Sequence, residues 1–343
     1  MSMRFIKILL YIAILLLLFG GYEVTNNIFE YVEQSKNQQV TTKKTKAALP
    51  DESVFSLMGR SSIEVKETYG SPNRIDPSSY GYDWWIYRDS EASYFQIGIK
   101  NDLVVTIYVL GHDVNMEPFI VGQKTTEVVK EHMINQQVTV RNQQAKYTFE
   151  IPESEIFMNP LVPIENGYYA ILYFDQFLNE LSSVRVVDIE TLLMIRPYSV
   201  TYQGDLQEVP EIKKEKQKII DKANEQQILE MTNIIRGRHQ LEQLKWNEEV
   251  AKVALGHSKD MKVNEYFDHV SPTKGDLSAR LATRNIKYQM AGENIAAKYI
   301  DAAAAVNGWL NSEGHRKAML SPDFKELGVG VDELYYTQNF ITK

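Results

Sequence analysis

An offset of 63 residues repeats within this chain and sets the strongest limit on how its middle can fold. Gly59-Arg60-Ser61-Ser62-Ile63-Glu64-Val65 aligns with Gly122-Gln123-Lys124-Thr125-Thr126-Glu127-Val128. In both copies a short helix is expected after the glycine, followed by paired strands. In the first copy, residues 94–99 and 103–108 flank Lys100-Asn101-Asp102, a composition suited to a tight hairpin turn. In the second, residues 168–174 and 183–187 flank a turn through residues 175–180. Residues 55–202 are therefore expected to form two small helix-plus-antiparallel-sheet repeats. The aromatic run Tyr80-Gly81-Tyr82-Asp83-Trp84-Trp85-Ile86-Tyr87 lies within this unit. Strand alternation would bury half of it, which favours core packing over a ligand platform.

The N-terminus fixes the compartment. Arg4 and Lys7 precede residues 8–22, which carry no charge and are rich in leucine and isoleucine. No small-x-small cleavage site follows, since the chain reads Phe19-Gly20-Gly21-Tyr22-Glu23. Residues 1–24 are thus expected to be an uncleaved signal anchor rather than a signal peptide, a membrane helix contacting the cytoplasmic membrane through residues 5–24. The basic flank stays inside, which places the bulk of the chain outside the cell as a single-pass membrane protein. Cleavage of the segment would make it secreted. Residues 25–54 read as a polar linker whose patch Lys43-Lys44-Thr45-Lys46 is a solvated spacer. Residues 203–227 are charged, and a linker helix is expected to start after Pro210 and run toward a last domain at residues 228–343.

The formal net charge is -8, and from Ile228 onward basic and acidic residues balance. Nucleic acid is excluded as a main partner, because phosphate binding needs a positive surface. The chain has no cysteine, which excludes a thiol nucleophile, a zinc ribbon and a disulfide framework. Its 44% hydrophobic content is enough for more than one packed core.

Chemistry-bearing residues concentrate after Ile228, where His239, His257, His269 and His315 lie. Asn247 can cap a helix with Glu248 and Glu249 in its first turn. Val250, Ala254, His257 and Met261 then recur at helical spacing, so His257 falls on the buried stripe. A short helix should carry Leu277 and Leu281. Asp301 can cap another, with Ala302, Val306 and Trp309 on its inner face. Residues 327–331 should pair with residues 335–341. Helices with an antiparallel sheet make this domain α+β.

Seven short patterns in order carry a family resemblance. They are Asn233 with Arg236; Leu244-Lys245-Trp246-Asn247; Ala254 with His257-Ser258 and Asp260-Met261; Phe267-Asp268-His269; Ala291-Gly292-Glu293-Asn294-Ile295; Trp309 with Ser312-Glu313-Gly314-His315-Arg316; and Gly328-Val329-Gly330 with Tyr336-Thr337-Gln338-Asn339-Phe340. Together they resemble the bacterial branch of the CAP superfamily, also called SCP or PR1-like. Residues 55–202, through Tyr69-Gly70-Ser71-Pro72 and the aromatic run, resemble the CAP-associated N-terminal domain found in bacilli. The resemblance implies a C-terminal α-β-α sandwich with a polar cleft on whose wall His269, Glu293 and His315 lie, with His257 beside them and Ser312 nearby.

Two imidazoles and a carboxylate, His269, His315 and Glu293, are the candidate set for a divalent metal such as zinc, and the same three are the candidate proton-transfer groups. Eukaryotic members commonly carry a second glutamate where this chain has Ser312, which weakens a metal site. No Gly-x-Ser-x-Gly, His-Glu-x-x-His or phosphate loop occurs. The expectation is therefore a ligand-binding cleft for a lipid, peptide or cell-envelope component. A metal-dependent hydrolase acting on peptide or cell-wall material, or a structural partner in an envelope complex, are the alternatives.

Overall fold

The computed structural model describes residues 46–132 and 134–343. The expected anchor at residues 1–24 and residues 25–45 of the polar linker lie outside the described residues. Among those described, no helix is long and apolar enough to cross a membrane.

The first copy of the repeat runs α1 (Ser62–Tyr69), β1 (Arg74–Pro77), β2 (Asp83–Arg88), β3 (Tyr94–Lys100) and β4 (Leu103–Val109). The second runs α2 (Thr125–Glu131), β5 (Gln137–Asn142), β6 (Ala145–Glu150), α3 (Glu153–Ile156), β7 (Leu161–Pro163), β8 (Tyr169–Asp175) and β9 (Glu180–Val187); α4 (Ile189–Ile195) and β10 (Ser199–Gln203) follow. Local chemistry starts each copy. Gly59 and Gly122 take φ of 77° and 87°, a left-handed turn that side chains resist. Ser61 and Glu64 then close a reciprocal capping box on α1. The turn bonds repeat as well: Gly59 N donates to Val104 O at 2.9 Å, and Gly122 N donates to Leu181 O at 2.8 Å. Asn101 and Asp102 both have positive φ, which matches the twist of a two-residue hairpin.

The copies do not make separate sheets. They share one seven-stranded sheet in the order β1-β2-β3-β4-β9-β8-β7, joined where β4 pairs antiparallel with β9 from Thr106↔Val187 to Val109↔Val184. The pairing removes two open strand edges at once. The hairpin β5-β6 leaves the main sheet and pairs with β10 in a three-stranded sheet. The expected half-burial of the aromatic run also gives way: Trp84, Trp85, Ile86 and Tyr87 are all buried. Both faces of β2 are covered, so the run is core.

The C-terminal unit comprises α5 (Lys214–Arg238), β11 (Lys245–Trp246), α6 (Glu248–Val263), α7 (Leu277–Ala282), β12 (Met290–Ala297), α8 (Ala302–Leu310), α9 (Glu313–Met319), β13 (Glu326–Asp332) and β14 (Tyr335–Thr342). Its sheet has the order β11-β13-β14-β12. Alternation along β13 assigns its two faces. Gly328 and Gly330 lie against the backbone of α6, where a Cβ would collide with Ala251 and Leu255. Leu327, Val329 and Val331 face the other way, into a core with Ile228, Met231 and Ile235 of α5 and Val306 and Trp309 of α8. The result is an α-β-α sandwich.

The expected division at residue 227/228 falls inside α5, one continuous helix of 25 residues. The core on its side of the sheet is continuous with that of the N-terminal unit. Polar ties reinforce the joint. Arg74 Nη1 lies 2.7 Å from Glu230 Oε1 on α5, and Arg316 Nη1 lies 2.8 Å from Asp175 Oδ2.

Candidate functional site

Asn247 caps α6 by accepting from Glu249 N and Val250 N, both at 3.1 Å. The helix then buries Val250, Ala254, His257 and Met261, the stripe expected from their spacing. His257 Nε2 lies 3.0 Å from the carbonyl oxygen of Asp268. A carbonyl only accepts, so Nε2 carries the proton and Nδ1 is bare, with no partner in its buried position. Burial lowers the His257 pKa, and Glu293 opposes that effect only in part. The imidazole is therefore held neutral.

Glu293 stands on β12, in register with Asn339 of β14. Its side chain is 4% exposed, and both oxygens are engaged. Oε1 accepts from His269 Nδ1 at 2.9 Å, and Oε2 accepts from Arg280 Nη2 at 2.5 Å. His257 Nε2 lies 3.8 Å from Oε1. Arg280, on α7, also donates to the carbonyls of His269 at 2.7 Å and Gly275 at 3.0 Å. One guanidinium thus neutralises the buried carboxylate and fixes the loop that carries His269. Asp260 anchors the same loop from α6, accepting from Tyr266 at 2.6 Å and Ser271 at 2.7 Å and pairing with Lys274 at 2.8 Å. Burial opposes its ionisation, yet hydrogen bonds from Lys274, Tyr266 and Ser271 hold its pKa down at about 2.

His269 is the exposed end of the arrangement, with a side chain 52% accessible. Its hydrogen bond to Glu293 raises its pKa. With Nδ1 donating to the carboxylate, Nε2 is left as the ring's second polar atom. His315, on α9, behaves oppositely. Burial lowers its pKa, and the charge of His269 lowers it further. His315 Nδ1 is 2.8 Å from Ser312 Oγ. Ser312 occupies the N-cap of α9 but makes no side-chain cap bond there. Asn294 Nδ2 donates to the His315 carbonyl at 3.1 Å, tying α9 to β12.

These residues do not fit a divalent metal. Among the described residues, no group of three or more His, Cys, Asp and Glu side chains is placed to hold one. The physical reason is Arg280. Its charge is permanent, it is 4% exposed, and it already neutralises Glu293 through Oε2, while Oε1 is taken by His269, so the candidate set of His269, His315 and Glu293 has no unengaged carboxylate oxygen. Sequence reasoning named the histidines and Glu293 but missed Arg280. An arginine on a short helix gives no local signal that it will meet a carboxylate on another element.

Two family profiles match the chain: "CAP-associated N-terminal" over residues 58–198 and "Cysteine-rich secretory protein family" over residues 229–342. The chain is 43% identical over 344 residues to the "Uncharacterized membrane protein YlbC" of Bacillus subtilis, covering 98% of this chain and 99% of that one. It is 42% identical over 123 residues to YkwD of the same organism, covering 35% of this chain and 48% of that protein. Among solved structures, an extracellular protein containing an SCP domain from Bacillus anthracis superposes with a TM-score of 0.82 at 44% identity, covering 89% of this chain and 100% of that one. A cysteine-rich secretory protein from Staphylococcus aureus superposes at 0.76 with 24% identity, over 87% and 98% of the two chains, and shares the fold.

Proposed function

Because the chain belongs to the bacterial CAP family, with a CAP-associated domain ahead of its CAP domain, we propose that it is an extracytoplasmic, membrane-anchored protein that binds a ligand at the His269 and His315 wall of its cleft. The relatives' names support the location, one as a membrane protein and one as an extracellular protein. The uncharged run at residues 8–22 behind Arg4 and Lys7 supports the anchor.

The observation that carries the binding reading is the hydrogen bond between His269 and Glu293. A buried carboxylate, already matched by Arg280, holds an exposed imidazole in a fixed orientation and favours its charged form. An exposed N–H on His269 suits an acceptor oxygen, such as a carboxylate, phosphate or carbonyl of a lipid, peptide or envelope component. Catalysis has less support. Glu293 is engaged by His269 and Arg280, and among the described residues no His, Asp and Glu group is placed to hold the metal of the hydrolase alternative. A structural partnership in an envelope complex would use the same fold without needing the exposed ring. The test is a titration of the folded protein with acetate and with inorganic phosphate, read by nitrogen-15 shifts of the imidazoles. Saturable shifts at His269 that vanish in Glu293→Gln support the reading, and the absence of any shift with either anion sinks it.

A further inference from the structure

A cavity of about 610 Å³ lies where the two domains meet, and neither Glu293 nor His269 lines it. Its wall is drawn in equal number from the N-terminal unit and the CAP domain. Asn311 closes the seam beside it, donating to Phe174 O at 2.8 Å and accepting from Gln176 N at 2.8 Å. Gly308 on α8 makes room for the wall, since a Cβ there would collide with the hydroxyl of Tyr299.

The lining has a definite chemistry. Tyr198 and Tyr299 bring aromatic rings; Asn159, Asn307 and Ser199 bring groups that both donate and accept; Glu155 brings one carboxyl. Glu155 and Tyr299 come from different domains, yet the carboxylate adds to the effect of burial in raising the phenol's pKa. Polar groups of both walls line the one cavity. A lipid chain needs an apolar tunnel, and amides, hydroxyls and a carboxyl interrupt this one. A polyanion needs several cations, and the wall has one lysine, Lys298, against Glu155. Aromatic faces interleaved with two-way hydrogen-bonding groups suit a guest whose rings present C–H faces and whose rim is hydroxyl and amide.

We propose that this interdomain cavity is a carbohydrate site that takes an uncharged oligosaccharide of about two to three sugar rings. The ligand touches both domains and so fixes them together. Ser312 lines this cavity and also meets His315 at 2.8 Å, so occupancy reaches the cleft through one side chain.

The experiment titrates the full chain, in detergent, with chitotriose, the trimer of N-acetylglucosamine. Calorimetry should give one saturable site, with a shift of the His315 ring resonances as it fills. Glu155→Gln should weaken binding about tenfold, through loss of a charged acceptor. Gly308→Ala should weaken it at least as much, by pushing Tyr299 into the space. His269→Ala should leave it unchanged, which separates this site from the cleft reading. Absence of saturable binding to the folded wild type overturns the proposal. So does binding that survives both cavity variants, or trialanine binding more tightly than the sugar.

Discussion

Arg185 and Asp301 form an ion pair buried between the two domains, with 2.5 Å between Nη1 and Oδ2. Asp301 uses its other oxygen to cap α8, accepting from Ala304 N at 3.0 Å. Arg185 reaches from β9, has no solvent exposure and also donates to the Tyr82 hydroxyl at 2.6 Å. The start of a CAP-domain helix is thus fixed by a side chain of the other domain. Arg185→Met should destabilise the whole chain by about 3–5 kcal/mol, because it leaves a buried carboxylate unpaired. Denaturant unfolding followed by tryptophan fluorescence and by circular dichroism should give coincident single transitions before and after the change. Two separate transitions in the wild type would show that the shared core does not couple the domains.

The cleft histidines should give stability terms of opposite slope. His257 is a base whose folded pKa lies below its unfolded value of about 6.5. Its contribution is complete above that value and is lost as pH falls through the folded pKa. His269 has a raised pKa. Its contribution is complete below about 6.5 and is lost as pH rises through the folded pKa, though exposure makes it small. Proton NMR titration should resolve His257 as the more acidic ring. In Glu293→Gln the His269 midpoint should move downward, and an unchanged midpoint would contradict the pairing.

Arg280 should keep metal out. The wild type should bind zinc no more tightly than a surface histidine does. Arg280→Met should unfold more easily by about 3–5 kcal/mol, because Glu293 then lacks its buried cation. The same variant should bind zinc more tightly by calorimetry, since Glu293 Oε2 loses the cation that holds it. Stoichiometric zinc on the wild type at micromolar concentration would refute this account of Arg280.

Topology has a direct test. Protease added outside intact cells should remove the mass that follows residue 25, while the anchor stays with the membrane. Full protection of the CAP domain would reverse the assignment. A mature chain beginning near residue 22 would retain the location but show that the segment is cleaved.

Features with a short range in the chain are legible in the amino-acid sequence. The stripe of Val250, Ala254, His257 and Met261 follows from 3.6 residues per turn. Asn247 and Asp301 cap the helices expected of them. Asn101 and Asp102 make the two-residue turn. The 63-residue offset survives as matched hydrogen bonds at Gly59 and Gly122. The stripe, the caps and the turn depend on neighbours within a few residues, where backbone geometry fixes what meets what, whereas the glycine bonds reach distant strands at Val104 and Leu181.

The sequence by itself determined the order of elements, the two kinds of domain, and which histidines and glutamate are candidate site residues. Tertiary structure alone decided how those parts close on one another. It merged two repeats into one sheet through β4 and β9, carried α5 unbroken across the expected boundary, joined Arg185 to Asp301 and placed Arg280 on Glu293. The physical reason is common to the joined sheet and the two ion pairs. A buried charge and an open strand edge each require a partner, but the chain does not encode locally which distant residue supplies it. That choice belongs to packing, and here it set an arginine against the candidate carboxylate.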